Sequence, residues 1–206
     1  MKITVNNLQK KFGRQHILQN IRFELLPGTK NVILGANGSG KSTLLKILSG
    51  ALEVSDHPPI YEHAGHNIEP KQIGKYCGIA APYVALNPMF TLIETLDFHE
   101  KMCGFHPGFD RSEWLIKAGL AEHKNKRLST FSSGMQQRVR LILAAANERP
   151  LLLLDEPTSN LDKDGIEFYQ DLVATFSQGK TVLVASNHIA HEYEFCTDKI
   201  KLEKHY

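Results

Sequence analysis

The chain has 206 residues, of which 42% are hydrophobic and 22% charged, and its formal net charge is +2. This is the composition of an ordinary globular domain, and it excludes a disordered chain, collagen and a disulfide-framed miniprotein. The three cysteines lack paired or metal-type spacing, and the small net charge gives no reason to expect a nucleic-acid partner. No apolar run approaches the about 20 residues of a membrane helix, and no secretory signal is visible, so we expect a cytoplasmic location.

The predicted strands and helices alternate along most of the chain. Strands are indicated by short apolar or alternating runs, and helices by apolar residues at helical spacing. In chain order the elements are strands over 3–5, 17–25 and 30–34, a helix over 42–49, weak strand signals in 51–75, helices over 91–102, 111–118 and 134–147, a strand over 151–154, a helix over 166–176, a strand over 181–185 and a short helix over 190–195. The alternation predicts a mainly parallel α/β sheet, and the helical middle predicts an inserted subdomain.

A glycine-rich segment follows the predicted strand over 30–34. It reads Gly35-Ala36-Asn37-Gly38-Ser39-Gly40-Lys41-Ser42 and matches the pattern G-x-x-x-x-G-K-[ST]. Its glycines let backbone N–H groups surround a phosphate, and the following helix adds the positive end of its dipole. Lys41 would reach the β- and γ-phosphates, and the Ser42 hydroxyl would bind Mg²⁺. The alternative is a glycine-rich turn without a ligand.

Two carboxylates, Asp155 and Glu156, directly follow the apolar strand over 151–154. In open α/β sheets, ligands bind at the carboxyl ends of the strands. Asp155 can hold the water shell of Mg²⁺ beside Ser42, and Glu156 can polarise an attacking water. A solvated acidic turn is the alternative for this pair taken alone.

A serine–glycine segment, Phe131-Ser132-Ser133-Gly134-Met135-Gln136-Gln137-Arg138, leads into the predicted helix over 134–147. Ser132 is a natural N-cap, and small residues at a helix N-terminus make a second anion site. A plain helix cap would have much the same sequence.

The order and spacing of these three segments closely resemble the ATP-binding cassette family over nearly the whole chain. The resemblance implies a P-loop α/β core with an N-terminal antiparallel β layer and an inserted helical subdomain. One domain is then expected over 1–206, with the core at about 1–82 and 150–206 and the helical subdomain at about 83–149. The family hydrolyses ATP with Mg²⁺ in a head-to-tail dimer, and we expect a homodimer.

The resemblance also assigns individual residues. The family signature, usually L-S-G-G-Q, closes over the γ-phosphate of the partner cassette, so Ser132 and Gly134, with Ser133 between them, would contact ATP in trans. Phe12 stands at the usual interval for the aromatic residue that stacks on adenine, with a core or turn Phe as the alternative. Thr43 joins the expected nucleotide contacts. The segment 159–162 looks like the loop that crosses the dimer interface, or like a helix cap.

The chain departs from the family at the loop that normally offers a glutamine to Mg²⁺ and the attacking water. An ungapped match places Pro82 at this position. Ala80 and Ala81 beside it also lack a metal-ligating side chain. We therefore assign no metal ligand to this loop. Either hydrolysis proceeds without the glutamine, or the coupling of this chain to a partner is altered.

The family's switch histidine lies just after the last core strand. Counting from the strand over 181–185 indicates Asn187, whereas counting back from Asp198 indicates His188. We favour His188, because an imidazole can both donate to the γ-phosphate and orient Glu156. Asn187 can donate but cannot exchange a proton near neutral pH.

These features predict the ATP-hydrolysing subunit of a transporter, peripheral on the cytoplasmic face of the membrane and driving a membrane subunit on another chain. Its size and signature resemble small exporter cassettes, including the heme-exporter type. The alternatives are a soluble cassette ATPase that acts on ribosomes or DNA and a cassette that binds ATP but hydrolyses it weakly. A GTPase would need an Asn-Lys-x-Asp motif, which the sequence lacks.

Overall fold

The computed structural model describes residues 1–202, and its first sheet is antiparallel. Its strands are β1 (Lys2–Phe12), β2 (Gln15–Leu25), β4 (Ile60–His63) and β5 (His66–Ile68). They lie in the order β2-β1-β4-β5. β1 and β2 form a long hairpin whose register pairs Ile3 with Leu25 and Phe12 with Gln15. This sheet is the predicted N-terminal β layer.

The second sheet is parallel and forms the centre of the molecule. Its strands are β3 (Lys30–Leu34), β6 (Cys77–Ala80), β7 (Leu151–Asp155), β8 (Thr181–Ser186) and β9 (Asp198–Lys201). They lie in the order β6-β7-β8-β3-β9, and every neighbouring pair is parallel. Every residue of β7 and β8 is buried, which explains their continuous apolar sequences. The α/β fold class is therefore confirmed.

Five α-helices complete the described part of the chain. They are α1 (Lys41–Leu48), α2 (Leu92–Cys103), α3 (Arg111–Lys117), α4 (Ser133–Ala145) and α5 (Lys163–Phe176). The starts of four of them are capped by side chains that accept backbone N–H bonds, those of Thr91, Asp110, Ser132 and Asp162. Within residues 1–202, no helix has the length and apolar character required to cross a membrane.

Three local expectations were incomplete or wrong. The short helix predicted over 190–195 is a single 3-10 turn, Ala190–Glu192, after which the chain turns back to form β9. Neither β9 nor β6 was predicted as a strand, because their sequences, DKIK and CGIA, carry little strand propensity. Parallel pairing with β3 and β7 makes them strands.

Two buried clusters cover the two faces of the parallel sheet. Alternate residues of a strand point to opposite faces, so Leu152 and Leu154 join one cluster whereas Leu151 and Leu153 join the other. The first cluster includes α2 to α5, and the second includes α1 and the antiparallel sheet. Between these layers, the carboxyl ends of β3, β7 and β8 meet at one edge of the sheet.

Candidate nucleotide-binding site

The loop between β3 and α1 has the tight backbone that its glycines predict. Gly38 and Gly40 have φ angles of 79° and 95°, in the left-handed region that favours glycine. A Cβ atom on Gly40 would lie 2.8 Å from Leu18 Cδ2 of β2. A Cβ atom on Gly35 would lie 2.5 Å from Ser39 Oγ. The loop therefore packs closely against itself and against the β1–β2 hairpin, and it tolerates no side chain at either position.

The ammonium group of Lys41 lies inside the curve of this loop. Its Nζ donates to the carbonyl oxygens of Gly35 at 2.7 Å and Ala36 at 3.2 Å, and the residue is only 4% exposed. Among the described residues no side chain caps the start of α1, which leaves its first backbone N–H groups available to a ligand. The buried Ser39 Oγ also has no hydrogen-bond partner among the described residues. Such a concentration of unpaired donors around a buried cation suits phosphate oxygens.

Asp155 ends β7 beside this loop and is 2% exposed. Both carboxylate oxygens are buried without a hydrogen-bond partner in residues 1–202, which is costly for a carboxylate unless a ligand completes its contacts. Burial raises the pKa of Asp155 above its ordinary value, while nearby Ser42 and Lys41 act in the opposite direction. A hydroxyl beside an unpartnered carboxylate is a donor set that fits Mg²⁺.

Glu156 is the next residue and lines one cleft with the glycine-rich loop. Other residues that line this cleft are Ile17, Asn37, Gly38, Gly40, Lys41, Ser42 and Thr43. Glu156 has a positive φ of 45°, a backbone strain that is typical of functional sites, and its N–H donates to the Ala185 carbonyl at 2.9 Å. The structure thus brings the predicted base and the predicted phosphate loop together.

The two switch candidates lie at the same end of the sheet. Asn187 and His188 are both exposed in the turn that follows β8, and β8 runs parallel to β7, which ends at Asp155. His188 adopts a positive φ of 62°. Both side chains are available to a ligand, so the preference for His188 stays a prediction.

Glu192 supports this edge of the site, and the sequence interpretation missed it. It is completely buried, and Oε1 accepts hydrogen bonds from the N–H of Thr158 at 3.3 Å and from its hydroxyl at 2.9 Å. Oε2 accepts a hydrogen bond from Ser186, whose Oγ in turn accepts from the N–H of Ile189 at 3.2 Å. Glu192 therefore joins the segment after Glu156 to the turn that carries both switch candidates. Its segment has mixed polarity, so no local signal marks it.

The serine–glycine segment packs against the segment over 159–162. Ser132 caps α4 by accepting a hydrogen bond from the N–H of Met135 at 3.2 Å, as predicted. A Cβ atom on Gly134 would lie 2.7 Å from the Asn160 carbonyl oxygen, so glycine is required there. Asp162 caps α5 and also pairs with Arg138.

Among the described residues, the four predicted nucleotide contacts that lie outside the segment 35–43 do not line the cleft around Glu156. Ser132 and Ser133 are exposed, and they and Gly134 do not line this cleft. Phe12 is 52% exposed at the end of β1, where the ammonium of Lys10 lies 5.5 Å from its ring centroid. The same hairpin reaches the cleft through Ile17. The roles of these four residues remain predictions.

Comparison with known proteins identifies the family to which this chain belongs. A family model described as ABC transporter matches residues 18–159. The lantibiotic transport ATP-binding protein SrtF of Streptococcus pyogenes is 31% identical over 216 aligned residues, which cover 99% of this chain and 91% of SrtF. The cytochrome c biogenesis ATP-binding export protein CcmA of Xylella fastidiosa is 32% identical over 169 residues, which cover 81% of this chain and 78% of CcmA.

Comparison with solved structures leads to the same family. A dimeric structure of the ATP-binding cassette MJ0796, in a post-hydrolysis state bound to ADP and Pi, superposes with a TM-score of 0.78 at 25% identity. The superposition covers 99% of this chain and 97% of that one. The fold is thus that of a P-loop ATP-binding cassette. The chain belongs to the ABC transporter family and is an ATP-binding and ATP-hydrolysing subunit. The predicted family, fold class and enzyme class are confirmed.

Proposed function

We propose that this chain hydrolyses Mg²⁺-bound ATP in a head-to-tail dimer of cassettes and thereby drives a separate membrane subunit. The carboxylate pair at the end of β7 carries the proposal. Among residues 1–202, the buried carboxylate oxygens of Asp155 have no hydrogen-bond partner. Asp155 lies beside Ser42, and Glu156 lines one cleft with the glycine-rich loop. The carboxylate of Asp155 is suited to bind a metal ion, and that of Glu156 is suited to orient a water molecule.

The residues of the cleft divide the chemistry among them. Lys41 and the free N–H groups of the loop and of α1 hold the phosphates and stabilise the charge that develops on them. Ser42 and Asp155 would hold Mg²⁺, which neutralises phosphate charge when bound. Glu156 orients the attacking water or accepts its proton, and His188, or Asn187 in its place, donates to the γ-phosphate. Positioning and charge stabilisation account for most of the catalysis.

The second cassette completes each site in this proposal. Ser132, Ser133 and Gly134 stand at the N-terminus of α4, and the two serines are exposed where a partner's nucleotide can reach their N–H groups. Phe12 stacks on the adenine of its own chain's nucleotide. A homodimer is the simplest assembly, because both halves of the composite site lie on one chain.

The composite site predicts complementation between two inactive variants. Lys41→Met removes the phosphate-binding cation, and Ser133→Glu places a negative charge against the partner's phosphate while remaining favourable at the start of α4. Each variant alone is expected to lose ATPase activity. A 1:1 mixture should recover up to about a quarter of wild-type activity, because half of the dimers contain one intact site. A mixture that stays inactive, although mixed dimers form, contradicts contact in trans.

The partner is proposed to be an integral membrane transporter subunit on another chain, with this chain bound to its cytoplasmic face. The relatives support this, since SrtF is named for lantibiotic transport and CcmA for export. We propose an exporter cassette on the same basis. The helical subdomain over about 83–149, with the remainder of the chain as the core, is the proposed division of the domain.

Purification of the tagged protein from its native cells in mild detergent tests the partner. We expect an integral membrane protein to co-purify in about equal amount, as in a complex with closed symmetry. That partner's sequence would then lead to the substrate and the direction of transport. Recovery of ribosomal or DNA-repair proteins without a membrane partner would instead establish the soluble-ATPase alternative.

A further inference from the structure

The segment that lacks the expected glutamine forms a tight turn beside the carboxylate pair. Ala80, the last residue of β6, pairs with Leu154, the residue before Asp155. The chain turns at once, and the N–H of Val84 donates to the Ala81 carbonyl at 3.0 Å. Polar groups near the tip of this turn are therefore close to the proposed metal site. Pro82 is exposed and has no polar side chain, and the next residue is Tyr83.

Tyr83 turns back against the phosphate-binding helix. The ammonium of Lys46 lies 4.3 Å from the centroid of its ring, and Lys46 stands one helical turn beyond Ser42 in α1. Burial raises the pKa of Tyr83, and the charge of Asp155 acts in the same direction. The ring is thus held against α1, close to the point where β6 pairs with the last residues of β7.

The hydroxyl of Tyr83 is buried and has no hydrogen-bond partner among residues 1–202. A buried hydroxyl without a hydrogen-bond partner lowers the free energy of unfolding. A phenylalanine ring would fill the same space without this cost. Tyr61 shows the usual arrangement, since its buried hydroxyl donates to the carbonyls of Ile47 at 3.3 Å and Leu48 at 3.2 Å. The Tyr83 hydroxyl is therefore available for a ligand of this site.

We propose that the Tyr83 hydroxyl makes the polar side-chain contact to bound Mg²⁺–nucleotide that Ala80, Ala81 and Pro82 cannot make. The inference rests on the proposed function and adds a residue to the same site. The phenol is neutral at working pH, so it acts by donating a hydrogen bond to a phosphate oxygen or by accepting one from a water molecule of the metal's shell. It supplements Ser42 and Asp155 and replaces neither.

The test compares Tyr83→Phe with the matched variant Tyr61→Phe, which loses a hydroxyl that is already satisfied. Affinity for Mg·ATP is measured by calorimetry in a Glu156→Gln background that turns over slowly. Tyr83→Phe should weaken this affinity about tenfold and lower turnover similarly in the wild-type background, as for a lost hydrogen bond to a charged group. Its urea unfolding midpoint should stay the same or rise. Tyr61→Phe should lower the midpoint and leave the affinity unchanged.

Equal affinity of Tyr83→Phe and its parent would overturn the inference. A lowered unfolding midpoint like that of Tyr61→Phe would also overturn it, because the hydroxyl would then have a structural partner. Failure of the wild-type protein to hydrolyse Mg·ATP would contradict the proposed function itself, so the two failures are distinguishable.

Discussion

Replacing Glu156 with glutamine is expected to reduce ATP turnover by about 10²–10⁴-fold while ATP binding persists. The amide has the size of the carboxylate and preserves the strained backbone at this position, but it cannot accept a proton from water. The residue lines one cleft with the phosphate loop, so the change acts at the proposed site of hydrolysis. Phosphate release and calorimetric ATP binding, measured on the same preparation, separate the two effects.

Glu122→Gln is the control for this change, since Glu122 is exposed in the 3-10 turn after α3, away from the cleft. It should leave turnover unchanged. If Glu156→Gln also left turnover unchanged, Glu156 would not be the base. The chain would then fit the alternative of a cassette that binds ATP but hydrolyses it weakly.

Replacing Lys41 with methionine is expected to weaken ATP binding by about 10–150-fold, the range for lost hydrogen bonds to charged groups, and to remove measurable turnover. Lys41 is the buried cation of the loop, and its two carbonyl partners hold it where phosphate oxygens would lie. Methionine keeps much of the side-chain volume, so packing around α1 is largely preserved. Calorimetric titration with ATP measures the effect.

Lys180 provides a matched control in the same fold. It is 5% exposed, and its ammonium likewise donates to two backbone carbonyls, those of Ala145 and Asn147 at the end of α4. Lys180→Met should lower the free energy of unfolding by about 1–3 kcal/mol, because it leaves buried carbonyls without a partner. ATP affinity of the folded protein should be unchanged. Loss of affinity in Lys180→Met as great as in Lys41→Met would show that the effect of Lys41 is structural.

The chemistry-bearing segments could be predicted because each depends on local conformation. Positive φ angles at Gly38 and Gly40 require glycine, and the cap at Ser132 requires a short side chain with an oxygen acceptor. The buried strand before Asp155 is a continuous apolar run that any reading of periodicity detects. Such features leave their signal in a few adjacent residues.

The supporting residues could not be predicted, because their roles arise from contacts between distant segments. Glu192 holds Thr158 and Ser186 by hydrogen bonds, and Tyr83 packs against Lys46 of α1. The residues adjacent to Glu192 and Tyr83 in the sequence form no pattern that predicts these contacts. The gap left by Pro82 was visible in the sequence, but the hydroxyl beside it became a candidate only when the turn placed it against α1.

By itself, the sequence determined the family, the α/β class, the phosphate loop and the two carboxylates, because these depend on local conformation and residue chemistry. The tertiary structure decided that β6 and β9 are strands, that Glu156 shares a cleft with the loop, and that Asp155 is buried with no hydrogen-bond partner for its carboxylate among the described residues. The physical reason is that parallel pairing and burial are set by segments far apart in the chain. The stabilising contacts are made with residues that lie outside any short segment of the sequence.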